Sequence, residues 1–168
     1  DMILELFPEA KNVGLIYCSA EPNSAYQIKV IEEYLTAKGI TCTRYSFSDS
    51  NDISAVTTTA ATRSDVIYIP TDNTAASCTE TIGNIVREKK VPVVAGEQGI
   101  AAGCGVATLS ISYYDLGVKT GEMAAKILKG EANISEMPIE YATATKMYNP
   151  EICNELGLTV PDGYTAIQ

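Results

Sequence analysis

Three short polar segments are the parts of this chain whose side chains could do chemistry. They are residues 19–24 (SAEPNS), residues 71–74 (TDNT) and residues 96–99 (GEQG). Each follows an apolar run with the character of a buried strand. In a parallel α/β sheet the carboxyl ends of the strands share one edge, and ligands bind in the crevice there. We therefore expect hydroxyl, amide and carboxylate groups from all three segments to converge on one small polar site.

The segment 71–74 makes the most specific prediction. Asp72 can accept hydrogen bonds from an ammonium group, while Thr71, Asn73 and the free N–H groups of the following helix can hold a carboxylate. This combination suits a zwitterion such as an amino acid. The alternative is a simple strand-to-helix turn in which Asp72 or Asn73 only caps the next helix. The local sequence leaves both interpretations open.

The other two segments add polar groups of the same kind. Residues 19–24 place hydroxyls and an amide at the head of a predicted helix, although an N-cap with a proline-stiffened turn would look similar. Glu97 places a carboxylate where the fourth predicted strand must turn tightly. Each segment alone has a purely structural explanation, but three of them on one edge favour a binding site.

Cys18 suggests a different chemistry. A cysteine that ends a strand and precedes a helix N-terminus has a lowered thiol pKa, and residues 18–20 superficially resemble the phosphocysteine loop of sugar-phosphotransferase IIB modules. Against this, Glu21 and Pro22 make the loop acidic and stiff, which disfavours phosphate. No cysteine pair has CxxC spacing, so we expect small buried hydrophobes rather than disulfides. The five cysteines are Cys18, Cys42, Cys78, Cys104 and Cys153.

Composition excludes several classes of function. The 168 residues fit one domain, and the net charge of −9 argues against binding to nucleic acid. The absence of histidine excludes Ser-His-Asp and Cys-His catalysis and ordinary zinc sites, so we predict no enzyme, metal or cofactor. No apolar run approaches the roughly 20 residues of a membrane span. The first eight residues lack the features of a signal peptide, and we expect none in this chain.

Alternating patterns predict an α/β fold. Strands are expected at residues 13–17, 41–47, 65–69, 91–95 and 105–111, with helices after the first three and a further helix over 115–129. Such alternation implies a three-layer sandwich around a parallel sheet of about five strands, ordered 2-1-3-4-5, with right-handed crossovers. The chain divides into a lobe at residues 1–111 and a crossover helix with a tail at residues 112–168. The tail offers a strand near 139–145 and a short helix near 150–156.

These segments, in this order, resemble the substrate-binding proteins of one ABC-transporter family, which have a periplasmic-binding-protein type I fold. The resemblance covers nearly the whole chain, and PTDNT at residues 70–74 is its most specific motif. Further matching stretches are KNVGLIY at 11–17 with Asn23-Ser24, IYI at 67–69, PVVAGE at 92–97, YYDLG at 113–117, TGEMA at 120–124, Met137-Pro138, and LGL at 156–158 with Pro161.

The resemblance implies solute capture for an ABC importer, without chemistry. Characterised members bind aromatic amino acids between two lobes, and this chain resembles the second lobe plus the tail. The implied partners are a small amino acid ligand, an ABC permease and the missing N-terminal lobe, at an extracytoplasmic location with a lipid anchor in the full-length parent. Tyr113 and Tyr114 would face the cleft near the hinge. The implied ligand contacts are Ser19, Asn23, Ser24, Thr71, Asp72, Asn73 and Glu97.

Two other classes and one structural hypothesis remain open. The competing enzyme is a phosphocysteine carrier that uses Cys18, and a third class is a sensor lobe of a repressor, although this chain has no DNA-binding segment. In two-lobed proteins the helix after the last crossover packs on the first lobe. We expect the apolar face of the 115–129 helix, formed by Met123, Ile127 and Leu128, to be hidden by self-association or by folding back.

Overall fold

The computed structural model describes residues 1–167, which build a seven-stranded sheet in the order β2-β1-β3-β4-β5-β6-β7. The strands are β1 (Asn12–Cys18), β2 (Thr41–Phe47), β3 (Val66–Ile69), β4 (Val93–Ala95), β5 (Ala107–Ile111), β6 (Ala144–Tyr148) and β7 (Thr165–Ala166). The helices are α1 (Met2–Leu6), α2 (Pro22–Ala37), α3 (Ile53–Arg63), α4 (Asn73–Ala76), α5 (Thr79–Lys89), α6 (Gln98–Cys104), α7 (Tyr113–Leu128) and α8 (Pro150–Glu155).

The first five strands are parallel and run in the order 2-1-3-4-5, which confirms the predicted topology. Two further strands extend the sheet beyond the predicted five. β6 pairs with β5 in antiparallel orientation and β7 pairs with β6. β6 begins five residues after the strand that the sequence suggested at 139. Its side chains are exposed or half-buried, so it lacks the apolar run that identifies a central strand.

Helices cover both faces of the sheet and bury it completely at its centre. On one face, α1, α2 and α8 place Ile3, Ile28 and Ile152 against the sheet. On the other face, α3, α5 and α6 contribute a second apolar cluster that includes Ile82 and Ile100. Because β1, β3 and β4 are buried on both sides, their sequences read as continuous apolar runs, and this made them easy to predict.

Two helices depart from the predicted pattern. The helix expected over residues 74–89 is broken into α4 and α5, since Ser77 Oγ donates to the Thr74 carbonyl and Cys78 adopts a non-helical conformation before α5 starts. α6 was not predicted, because its sequence is rich in glycine and lacks an obvious apolar period. It forms because Glu97 caps it and because Ile100 and Ala101 are fully buried beneath it.

Residues 112–143 leave the sheet and return to it. Within α7 no residue is buried, so the helix does not fold back onto the core. Lys119 Nζ on α7 contacts Glu140 Oε2 at 2.5 Å, which ties the returning chain to the helix. The division at residue 111 remains a proposal about the parts of the chain, because β6, α8 and β7 complete the sheet and core of the first part. No helix within residues 1–167 has the length and apolar character needed to cross a membrane.

Candidate ligand-binding site

The three polar segments lie together at the carboxyl edge of the sheet, each directly after one of the neighbouring strands β1, β3 and β4. The Gly96 N–H donates to the Ile69 carbonyl at 2.7 Å. A side chain at Gly96 would meet the backbone of Pro70 and Thr71 at 2.7 Å, so only glycine permits this approach. The edge therefore has the convergence that the sequence predicted.

The loop at residues 70–74 is held by the first two turns of α2. The Thr71 carbonyl accepts hydrogen bonds from Asn23 Nδ2 at 2.9 Å and from Ser24 Oγ at 3.3 Å. The Thr71 N–H donates to Gln27 Oε1 at 3.0 Å. Because Ser24 is completely buried, its hydroxyl supports this loop and does not reach the surface. Gln27 was not among the predicted residues, since its role depends on a contact across 44 residues of chain.

Asp72 is a buried link between two loops. Only 1% of the residue is exposed. One carboxylate oxygen, Oδ2, accepts from the Cys18 N–H at 2.7 Å, and the other, Oδ1, accepts from the Ala75 N–H at 2.8 Å. Asp72 therefore caps α4, as the structural alternative in the sequence analysis proposed. An ammonium group has no access to this carboxylate in the observed conformation.

The N–H groups at the start of α4 are already occupied, so the expectation that they are free for a ligand carboxylate is wrong for this conformation. The N–H groups of Asn73 and Thr74 donate to the Glu21 carboxylate at 3.0 and 2.9 Å, and Ala75 donates to Asp72. Glu21 also accepts from Asn73 Nδ2 at 2.9 Å and from Thr74 Oγ1 at 2.8 Å. The only sequence signal for this role was a carboxylate next to the proline that starts α2.

Glu97 lies at the third loop and is half-buried. Its carboxylate caps α6 by accepting hydrogen bonds from the N–H groups of Gly99, at 2.7 Å, and Ile100. Thr71 Oγ1 is 3.4 Å from the Gly96 carbonyl and joins this loop to the loop at residues 70–74. Glu97 is therefore the more accessible of the two predicted carboxylates, since Asp72 is almost fully enclosed.

The exposed part of the edge consists of Ser19, Asn23 and Asn73, with Thr71 and Glu97 partly exposed. Ser19 Oγ donates to the Phe47 carbonyl at 3.1 Å, and the residue is exposed. α2 starts at Pro22, so the N–H groups of Asn23 and Ser24 have no intrahelical acceptor, and residues 1–167 provide them with no other partner.

The electrostatics of this edge are acidic. Glu21, Asp72 and Glu97 contribute three carboxylates, and the segments 19–24, 71–74 and 96–99 contain no lysine or arginine. Partial burial alone would raise the pKa of Glu21, but the hydrogen bonds from Asn73 and Thr74 outweigh burial and lower the pKa to about 2. Glu21 is thus ionised at neutral pH, and the edge favours the cationic end of a ligand.

Cys18 does not have the access that a phosphocysteine carrier needs. The residue is 1% exposed, and its thiol lies 3.7 Å from the Ser48 carbonyl. All five cysteines are free thiols, and within residues 1–167 no cluster of three acidic or cysteine side chains could hold a metal ion. The interpretation of Cys18 as a small buried side chain therefore fits the geometry.

Two surface recesses of about 490 Å³ each lie near the sheet. One is lined by the tail around Tyr148 and Tyr164, and Tyr148 pairs with Ala107 at the amino end of β5, so this recess is on the edge opposite the polar loops. The other lies between α1, α2 and the sheet, beside Tyr68 and Leu109, and touches the polar edge only at Gly96. Neither recess contains the predicted ligand residues.

Fold and site together define an α/β protein in which three polar loops converge at the carboxyl edge of a parallel sheet. The chain belongs to the ABC transporter substrate binding protein family, whose family model matches residues 1–166. The resemblance inferred from the sequence is therefore confirmed. A curated relative, the tyrosine-binding protein of Clostridioides difficile strain R20291, is 28% identical over 147 residues, which are 88% of this chain and 42% of that protein.

Solved structures show the same similarity. The ligand-free, open structure of a substrate binding protein with adhesive properties from Clostridium difficile is 33% identical, with a TM-score of 0.82. The structure of an ABC domain from Streptococcus pneumoniae in complex with L-Trp is 31% identical, with a TM-score of 0.87. Each match covers 99% of this chain and 58% of the other chain, so this chain spans about half the length of its relatives.

Proposed function

We propose that this chain is the part of an extracytoplasmic solute receptor that captures a small zwitterion, an aromatic amino acid, and that the full-length protein delivers it to an ABC permease. The observation that carries the proposal is the acidic edge, where three polar loops meet without a lysine or arginine. Two relatives support the same ligand class: one is named a tyrosine-binding protein, and the other was solved in complex with L-Trp.

The ammonium group of the ligand is assigned to Glu97 and to Asn73 Oδ1. Glu97 is the more exposed of the predicted carboxylates, and Asn73 is exposed at the adjacent loop. The ligand carboxylate is assigned to the unpartnered N–H group of Asn23 at the positive end of α2, because the Ser19 hydroxyl proton is already donated to the Phe47 carbonyl and Ser24 is completely buried. This arrangement separates the two ligand charges across the edge, as a zwitterion requires.

The buried predicted residues support the site from beneath. Asp72 and the Ser24 side chain fix the loop at residues 70–74, and Thr71 connects it to the loop that carries Glu97. The aromatic side chain of the ligand would extend away from this lobe. Tyr113 and Tyr114 are 57% and 80% exposed at the start of α7, and they are assigned to meet it near the hinge. Closure of two lobes around the solute would then signal the permease.

The chain contains no tryptophan, so binding of L-tryptophan can be followed directly by the fluorescence anisotropy of the ligand. We expect saturable binding at micromolar to millimolar concentration, and a stabilisation of about 1.4 kcal/mol when the ligand is at ten times its Kd. Glu97→Gln should weaken binding, whereas Glu80→Gln at an exposed position of α5 removes the same charge and should not. No anisotropy change with L-tryptophan, and no thermal shift with any standard amino acid, would contradict the proposal.

A further inference from the structure

Glu21 makes an unusual set of contacts for a residue at the start of a helix. It occupies the N-cap position of α2, yet its side chain makes no capping bond to that helix. The carboxylate instead crosses to the neighbouring loop. Oε2 accepts from the Asn73 N–H and Nδ2, and Oε1 accepts from the Thr74 N–H and Oγ1, all at 2.8–3.0 Å. Four donors from two adjacent residues of the ligand edge thus converge on one carboxylate.

These contacts fix the orientation of the Asn73 side-chain amide. Because Nδ2 donates to Glu21, the amide is oriented with its NH₂ group inward, and Oδ1 has no protein partner within residues 1–167. The Thr74 hydroxyl proton is committed to Glu21 in the same way. A carboxylate can only accept hydrogen bonds, so it enforces this orientation, whereas a neutral amide at position 21 could not satisfy all four donors.

We propose that Glu21 is a positioning residue that selects the amino group of the ligand, because it holds Asn73 with Oδ1 outward as an acceptor. The inference rests on the proposed function and adds a specificity determinant to it. Glu21 itself does not contact the solute. It acts through Asn73, and together with Asp72 it keeps ligand anions away from the N–H groups of α4.

The chain offers a matched control at the opposite edge of the sheet. Asp65 Oδ2 accepts hydrogen bonds from the N–H groups of Lys11, at 2.9 Å, and Asn12, at 2.8 Å, and so joins the amino end of β1 to the residue that precedes β3. The Asp65 carboxylate thus also links β1 to β3, but at the amino ends of these strands, remote from the ligand edge. Asp65→Asn therefore reproduces the structural loss of Glu21→Gln without its effect on Asn73.

The test compares two ligands that differ only in the amino group, L-tryptophan and indole-3-propanoate, by anisotropy of the indole fluorescence. Glu21→Gln should weaken binding of L-tryptophan about tenfold and change binding of indole-3-propanoate less than about twofold. Asp65→Asn should leave both affinities unchanged. Equal weakening of both ligands by Glu21→Gln, or no weakening of either, would overturn the proposal. Glu21→Asp, which keeps the charge but shortens the reach, serves as a second variant if Glu21→Gln does not fold.

A measurement without ligand separates this proposal from the proposed function. In ¹H–¹⁵N spectra of the wild-type chain, the Asn73 side-chain NH₂ and the Thr74 N–H should shift together as Glu21 titrates near pH 2. If these signals instead follow a titration near pH 4.5, or do not respond, Glu21 does not anchor Asn73 and the inference fails. If the signals respond as expected but neither indole ligand binds the wild-type chain, the anchoring is supported and the proposed solute class is wrong.

Discussion

Glu21 and Asp72 link two neighbouring loops, because the carboxylate of each accepts hydrogen bonds from the loop that carries the other. Glu21, which follows β1, accepts hydrogen bonds from Asn73 and Thr74 after β3, and Asp72, which follows β3, accepts one from the Cys18 N–H at the end of β1. Each loop therefore supplies the acceptor for the donors of the other. The relative position of the two loops is set within this lobe before a ligand binds, and such preorganisation reduces the entropic cost of binding.

Removing the Asp72 carboxylate should destabilise the fold. Asp72→Ala leaves the Cys18 and Ala75 N–H groups without their acceptor in a buried environment and removes the cap of α4. We expect a loss of about 2–4 kcal/mol in the free energy of unfolding, measured by urea denaturation. Asp52→Ala is the control, since Asp52 precedes α3 without a side-chain capping bond and should cost less than about 0.5 kcal/mol. Equal losses for the two variants would contradict the assignment.

The contribution of Glu21 to the stability of the fold should depend on pH. Its pKa in the folded chain is about 2, below the ordinary value of 4.5, so its contribution is fully present above about pH 4.5 and is lost as the pH falls toward 2. The Tm difference between wild type and Glu21→Gln should be constant above pH 5 and should close at lower pH. Thermal unfolding from pH 2 to 7 measures it, and a difference that persists at pH 2 would show that the carboxylate is not responsible.

The close approach of two loops at Gly96 predicts a large effect for one added methyl group. In Gly96→Ala the new Cβ would lie 2.7 Å from backbone atoms of Pro70 and Thr71, which cannot yield as a flexible side chain would. We expect a loss of stability of about 1–3 kcal/mol and weaker ligand binding. Gly117→Ala in α7 meets no atom within 4 Å and should be neutral or should stabilise the helix by about 0.5–1 kcal/mol. Similar Tm changes in the two variants would count against the packing described.

The cysteines should differ in reactivity according to burial. Cys78 is partly exposed and should be alkylated first in the native chain, followed by Cys42, whose thiol pKa is raised by burial. Cys104 is buried and its pKa is raised to about 12 by burial, so it should react only after unfolding. Peptide mass spectrometry after timed iodoacetamide treatment measures the order. Cys18→Ser should leave ligand binding nearly intact, whereas rapid modification of Cys18 in the native chain, or phosphate transfer that Cys18→Ser abolishes, would revive the phosphocysteine alternative.

Self-association through α7 stays a prediction. The helix has no buried residue, and Leu128 at its end is 88% exposed. Sedimentation velocity should show a concentration-dependent increase in mean mass, because large exposed apolar surfaces favour association. Leu128→Gln should reduce that increase without lowering the Tm, whereas Thr36→Gln at an exposed position of α2 should leave the increase unchanged. A wild-type chain that stays monomeric at high concentration would contradict the expectation.

The order of the five parallel strands could be predicted because β1, β3 and β4 are short apolar runs between turn residues, and their crossovers leave few topologies. α6 could not be predicted, since its stability comes from the Glu97 cap and from packing of Ile100 rather than from helix propensity. The extension of the sheet by β6 and β7 could not be predicted either, because a half-exposed strand has no apolar run in its sequence to indicate its pairing.

The sequence predicted which residue types form the site, but it did not predict the role of each residue there. The convergence of the three loops follows from parallel topology alone. Whether a carboxylate faces the ligand or the protein depends on contacts between residues about 50 positions apart, such as Asp72 with Cys18 and Glu21 with Asn73. No local pattern encodes those contacts, which is why Asp72 was expected at the surface and Glu21 was overlooked.

The pairing of Ile111 with Ala144 in the antiparallel ladder has a consequence for how the chain can be divided. Residues 112–143 depart from the sheet and return to it at the same rung, so the hydrogen-bonded framework closes without them. The predicted polar ligand contacts all precede residue 111, whereas Tyr113 and Tyr114 follow it directly. We therefore predict that residues 115–143 can be lengthened or exchanged without changing the register of the strands that carry the three polar loops.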